Sequence, residues 1–376
     1  MKPIPKALVC GVAAMLAAAV AGEAMRAKKS RGGAGKSAEA VVAAGGGARS
    51  VAALSSVILG GFRGVAADLL WLRAGRLQEE RRFVELVQLS EWITALEPES
   101  PEVWSFHAWN LAYNVTVLLG RPDDRWRWVE NAVALLRDSG VAMNPDSPEI
   151  KRELAWLFLH KIGTDSDSAA GFYRTSWARE IAGWLEPDGS APPVLSMQAG
   201  ELASALKMDA AFMRRLEARF GKIDWRMPEA STLYWGALAL EDATTSRERL
   251  SCRRMVYSAL LSMIRHHGLL KGDAADENWQ FGAEPNFALL DAAGEYLEET
   301  MREHSFGGVR HAYIGWLHDA ILIRLAQGET AAAGILYGKL VSFFAQRGVS
   351  DVPPLSSLAD APDGLFTELL DRAGIH

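Results

Sequence analysis

The chain has 376 residues, 49% of them hydrophobic, with a net charge of −6, which excludes wholesale disorder and allows one large core or two smaller ones. Its first fifty residues hold eight Lys or Arg against two acids, so the rest carries −12, which excludes nucleic acid as the main partner. Two cysteines, Cys10 and Cys252, supply neither a disulfide framework nor a structural zinc site, and no metal or other cofactor is expected.

In chain order, MKPIPK precedes sixteen uncharged residues, 7–22, a length that suits a short membrane span or the core of a signal segment. Arg26, Lys28, Lys29 and Arg31 follow at once, as behind an uncleaved anchor, so residues 1–25 read as one transmembrane helix in the inner (cytoplasmic) membrane. The flanking charges nearly balance and leave the membrane side open, and an extracytoplasmic domain is the expectation. Residues 26–50 read as a flexible basic linker lying against anionic headgroups. Within it, SRGGAGKS sets Gly35, Lys36 and Ser37 as in a phosphate-binding loop. Ser30 occupies the place of the opening glycine, however, and neither a strand nor a firm helix flanks the loop, so no nucleotide is expected. The next apolar stretch, VAALSSVILGGF, is too short to span a bilayer and stops at Arg63.

Residues 51–376 read as one all-α domain, because apolar residues recur at helical spacing and no run of alternating β-branched residues closes on a hairpin turn. One helix places Leu69, Leu72, Ala74 and Leu77 together, and the next places Phe83, Leu86, Val87, Ser90, Ile93 and Leu96 on a stripe. A tight connection near Arg81 and Arg82 joins them as an antiparallel pair. LEPESPEVW, from Leu96 to Trp104, returns as MNPDSPEIK, from Met143 to Lys151, with Pro98 and Pro145 forty-seven positions apart. LEPDG at 185–189 begins a third copy and MPEASTLYW at 227–235 a degenerate fourth. A proline after one helix stops it, and a Ser-Pro-Glu step caps and starts the next. Periods of this size indicate stacked helix pairs.

On these residues the chain resembles the tetratricopeptide family. Trp71, Ala74, Gly75 and Pro98 fit one unit, and Trp104, Ala108, Ala112, Ala132 and Pro145 fit a longer one. The clearest repeats lie in 64–240, and residues 307–347 match as a further pair around the turn Gln327-Gly328-Glu329, with small Ala332 and Ala333 and aromatic Tyr337. The resemblance implies an α-solenoid whose concave face binds peptides or proteins.

In the helix PEVWSFHAWNLAYNVTVLL, His107, Asn110 and Asn114 share one face, and Arg121, Arg125 and Trp126 follow. The resemblance makes these six a partner-binding groove, since family members that clamp a peptide carboxylate use asparagines and basic residues on facing helices. The bland account is that the amides only fix the packing of neighbouring helices. Eleven of thirteen tryptophans fall between Trp71 and Trp235, which marks tryptophan chiefly as a core filler. His311 and His318 are too far apart on one helix to share a metal, and His266 and His267 point to different faces. The expected function is a membrane-anchored, non-catalytic scaffold that binds a protein or peptide in a bacterial envelope. The alternative is an all-α enzyme acting on envelope polysaccharide, of glycosidase or transglycosylase type, with Asp68, Glu85, Glu153 and Glu180 as candidate acids.

Overall fold

A computed structural model describes residues 63–272, 274, 279, 281–304, 306–360 and 364–375. The expected membrane segment 1–25 and expected linker 26–50, and with them Arg26, Lys28, Lys29 and Arg31, lie outside the described residues. Among those described, no helix is long and apolar enough to cross a membrane.

The described residues divide into two compact units, 63–80 with 95–97, and 81–94 with the described residues from 98 onward. The first holds α1 (Arg63–Glu79), which buries Ala67, Ala74 and Leu77 on one face and leaves Leu69 and Leu72 exposed, so the expected stripe is right only in part. A turn with Arg81 in a left-handed conformation (φ 55°) precedes α2 (Phe83–Leu96). There Leu86, Val87, Ser90 and Ile93 are buried as the spacing predicts.

The second unit is all-α. Its first three long helices share an unusual build. α3 spans 101–118, an α-helix Pro101–Trp109 that widens into a π turn at Asn110–Val115 and closes in a 3₁₀ turn. α4 spans 122–143 with a π turn at Leu135–Gly140, and α5 spans 148–163 with one at Leu157–Gly163. Pro101, Pro122 and Pro148 each open a helix, where the missing N–H costs nothing. The forty-seven-residue spacing reappears in three dimensions. Trp104 Nε1 donates to the Pro98 carbonyl at 2.8 Å, and Lys151 Nζ, its counterpart, donates to the Pro145 carbonyl at 2.6 Å. The π turns at Asn110 and Leu157 start at the same offset. LEPDG departs from the pattern: it ends a helix but starts none, because Gly189, in a left-handed turn, folds its backbone against Asp224 and an irregular stretch runs on to Ser196.

The remaining helices are α6 (Ala170–Ala182), α7 (Met197–Leu206), α8 (Ala210–Phe220), α9 (Pro228–Asp242), α10 (Ser246–Arg265), α11 (Leu290–Glu303), α12 (Gly307–Ala326), α13 (Thr330–Ala345) and α14 (Leu365–Arg372). α9 is the axis of the unit, packed against α5, α6, α8 and α10. Every residue from Pro228 to Gly236 is buried, so the N-terminal part of this helix presents no wet face. Gly236 lets α10 come close, since a Cβ there would lie 2.9 Å from that of Met255. α12 and α13 pack on each other around the turn expected at 327–329, with Gly328 at φ 79°. Among the described residues the strands are a two-residue antiparallel pairing, Leu269–Leu270 with Ala283–Glu284, too short to leave a sequence signal.

Candidate functional site

The polar stripe of α3 faces inward. His107 and Asn110 are buried. His107 Nδ1 lies 3.3 Å from the Thr94 hydroxyl, whose own proton goes to the Ser90 carbonyl at 2.6 Å, so Nδ1 carries the proton and donates. Asn110 Nδ2 donates to the Phe106 carbonyl at 2.9 Å, and its Oδ1 accepts from Asn114 Nδ2 at 2.5 Å. Both amides lie in the π turn, where the loosened ladder is partly made good by side chains. Replacing Asn110 by alanine is expected to lower the thermal midpoint while leaving surface binding intact, since the amide serves the turn. Arg121 is exposed and pairs with Asp123 at 2.8 Å. Arg125 turns inward to the Leu119 carbonyl at 2.7 Å and to Asp167, and Trp126 packs against the Tyr173 ring at 6.0 Å. The six residues therefore do not converge on one groove.

What the helices do bring together is aromatic. Trp109 stacks on Tyr113 at 5.6 Å, Tyr113 meets the His160 ring at 5.8 Å, and His160 stacks on Trp156 at 4.8 Å. The Tyr113 hydroxyl lies 3.1 Å from His160 Nδ1. Tyr113 and His160 are forty-seven residues apart, as are Trp109 and Trp156, so one pair of equivalent positions meets, tilted at 46°, and the second flanks it on either side. The outer rings are open, Trp109 by 40% and Trp156 by 36%. Exposed indoles at this spacing were readable as a pair from the sequence period, though not as surface groups.

Acids continue the strip toward the helix starts. Burial, and then the nearby charge of Glu102, hold the Glu149 carboxyl above its ordinary value, and burial does the same to Glu153, whose charge acts on Tyr113. Burial, then Lys161, lowers the His160 pKa, so the ring is neutral near pH 7.

Beneath the strip lies a buried ionic network in the loop after α5. Lys161 Nζ donates to Asp167 Oδ2 at 2.6 Å and to the Thr116 hydroxyl at 3.1 Å, and it sits 5.1 Å from the Tyr113 ring centroid. Asp167 also accepts from Arg125 at 3.0 Å, from the Tyr173 hydroxyl at 3.1 Å and from the Ala169 N–H at 2.9 Å. Across the same loop, Arg174 bonds Asp165 at 2.6 Å and the Gly163 carbonyl at 3.1 Å. Glu229, fully buried on α9, accepts from His267 Nδ1 at 3.0 Å and from the Ser262 hydroxyl at 3.2 Å. Gly163 leaves room there, since a Cβ would lie 3.0 Å from the Phe158 carbonyl oxygen and 3.2 Å from the Glu229 carboxylate. His267 thus has a structural partner that sequence inspection missed, because the pair is separated by 38 residues and by a helix boundary.

Of the candidate acids, Asp68 and Glu85 are exposed, and Glu85 pairs with Arg82 at 2.5 Å. Glu180 differs. Burial, and then the nearby Glu130 charge, push its carboxyl up to about 7. It borders a cavity of about 210 Å³ between α4 and α6 that Trp126, Glu130, Arg137 and Trp177 also line. Among the described residues no three His, Cys, Asp or Glu side chains converge as for a metal ion. His311 instead bonds its own helix, at the Gly307 carbonyl, and His318 lies beside Asp319. Comparison with known families, with characterised proteins and with solved structures finds no match to this chain.

Proposed function

We propose that this protein is a membrane-anchored, tetratricopeptide-like helical scaffold that binds a basic peptide segment of a partner protein along the strip Trp109, Tyr113, His160 and Trp156. The observation that carries the reading is the strip itself: four contiguous rings, built by equivalent positions of a sequence repeat, with two indoles open to solvent. Rigid aromatic surface of this kind supplies binding energy at little entropic cost. The preference for a basic segment rests on charge. Glu153, which also pairs with Arg152 at 2.7 Å, acts on Tyr113, with Glu149 and Glu102 beyond it toward the helix starts, and a Lys or Arg over an indole face gains a cation–π attraction. The reading assigns no chemistry to the buried network, since Lys161, Arg125 and Asp167 are saturated by one another.

The test is an array of short Lys/Arg-rich and Asp/Glu-rich peptides probed with the intact chain. Basic peptides should be retained, and the double variant Trp109→Ala, Trp156→Ala should weaken their binding by more than about tenfold with an unchanged thermal melt. Equal retention by the variant would falsify the assignment. The polysaccharide-enzyme reading draws support from Glu180 alone, whose raised pKa and neighbouring Glu130 suit a general acid. Release of reducing ends from purified envelope glycan, abolished by Glu180→Gln, would establish that reading in place of the first.

A further inference from the structure

The irregular stretch that replaces a third helix start, with the first residue of α7, carries the two most exposed large apolar side chains among the described residues and a third beside them. Leu195 is 99% exposed, Met197 75% and Val194 48%. This is not a slack loop. Ser196 N–H donates to the Pro193 carbonyl at 2.9 Å and closes a turn over Val194 and Leu195, and Ser196 Oγ then caps α7 by accepting from Ala199 N–H at 3.1 Å. Pro192 and Pro193 stiffen the approach. Arg214 of α8 holds its base, donating from Nη2 to the Ala191 carbonyl at 2.7 Å and from Nε to the Pro192 carbonyl at 2.9 Å. Glu217 completes the clamp, its Oε1 accepting from both Ala191 N–H and Trp225 Nε1 at 2.8 Å. No charged residue occurs between Asp188 and Glu201. A rigid turn thus keeps three apolar side chains in water, which has an unfavourable free energy unless something covers them.

We propose that the turn Pro193–Met197 inserts into the interfacial region of a lipid bilayer and fixes the helical domain against the membrane surface. Three side chains on one turn fall far short of the roughly 800 Å² per partner that a stable protein interface buries. A bilayer sets no such threshold, because interfacial binding grows with whatever apolar area is immersed. The uncharged flanks avoid the penalty of carrying a carboxylate or ammonium into the headgroup layer, and the preformed turn loses little entropy on insertion. The inference rests on the membrane reading of residues 7–22, which would bring the domain within reach of the lipid.

The test uses the full chain with Cys10→Ser and Leu195→Cys, labelled with an environment-sensitive fluorophore and mixed with vesicles of phosphatidylcholine and phosphatidylglycerol. Cys252 is buried, with its thiol pushed up to about 11 by burial, and stays unlabelled. The label at 195 should shift its emission to the blue on vesicle addition and be quenched by lipids that carry a shallow nitroxide, while one at the exposed Asp146 should not. A chain that floats with the vesicles but reports water at 195 overturns the insertion alone. A chain that does not float overturns the anchor and the insertion together. Blue-shifted emission present before lipid is added, and insensitive to the lipid quencher, assigns the turn to a protein contact and overturns the proposal as well.

Discussion

Replacing Asp167 by asparagine is expected to destabilise the fold by about 3–5 kcal/mol, because it leaves a buried ammonium without its countercharge. Lys161 and Asp167 are both buried, 2.6 Å apart, and Asp167 joins three helices through Lys161 on α5, Arg125 on α4 and Tyr173 on α6. Burial alone would raise the Asp167 pKa, but the bonds from Lys161 and from the Ala169 N–H bring it down to about 2. A carboxylate depressed in this way contributes stability that is complete above its unfolded value near 3.8 and is lost as pH falls through 2. The network therefore stays intact through mild acid. Urea unfolding followed by tryptophan fluorescence measures the effect. Adding Lys161→Met to Asp167→Asn should recover a substantial part of the loss, because an apolar side chain has no charge to compensate. A loss under about 1 kcal/mol for Asp167→Asn would mean that the network is not what joins these helices.

Much of this arrangement was legible in the sequence, and the limits have physical causes. Pro98 and Pro145 announced a spacing of forty-seven, since proline stops one helix and opens the next whatever the tertiary context. The two halves of that pattern do pack through equivalent positions. Helical spacing also placed His107, Asn110 and Asn114 on one face of α3, but it could not tell an inward face from an outward one. His107 and Asn110 are on the inside, and the tryptophans Trp92, Trp109 and Trp156 are on the outside. The π turns explain part of the difficulty: each adds a residue to its turn and rotates the face that follows, so a strict period of 3.6 misassigns the positions after Asn110 and Leu157. Glu229 and His267 left no local signal because their pairing is purely tertiary. The absence of a helix start after LEPDG, and with it the exposed turn, depends on the contact of Gly189 with Asp224, thirty-five residues further along the chain.

Between pH 4.5 and 6.5 the stability of the chain should contain two opposing slopes that single substitutions separate. Burial lowers the His107 pKa from 6.5 to about 4, so within this window the unfolded chain binds a proton that the native chain refuses. Stability from His107 is complete above 6.5 and falls as pH drops toward 4, by up to roughly 3 kcal/mol. Glu180 has the opposite sign. Burial and then Glu130 raise its pKa from 4.5 to about 7, so the native chain holds the extra proton, and stability is lost as pH rises through that range, again by up to roughly 3 kcal/mol. Glu149, Glu153 and His160 titrate in both the parent and its variants and drop out of the difference between them. Glu180→Gln should therefore gain most over the parent near pH 7 and steepen the decline toward acid. His107→Gln should flatten that decline or reverse it. Chemical denaturation of the three proteins at pH 4.5, 5.5, 6.5 and 7.5 checks the pair. Parallel curves for Glu180→Gln and the parent would mean that the carboxyl titrates alike in the folded and unfolded chains, and with the loss of its raised pKa the general-acid role on which the polysaccharide reading depends would also be lost.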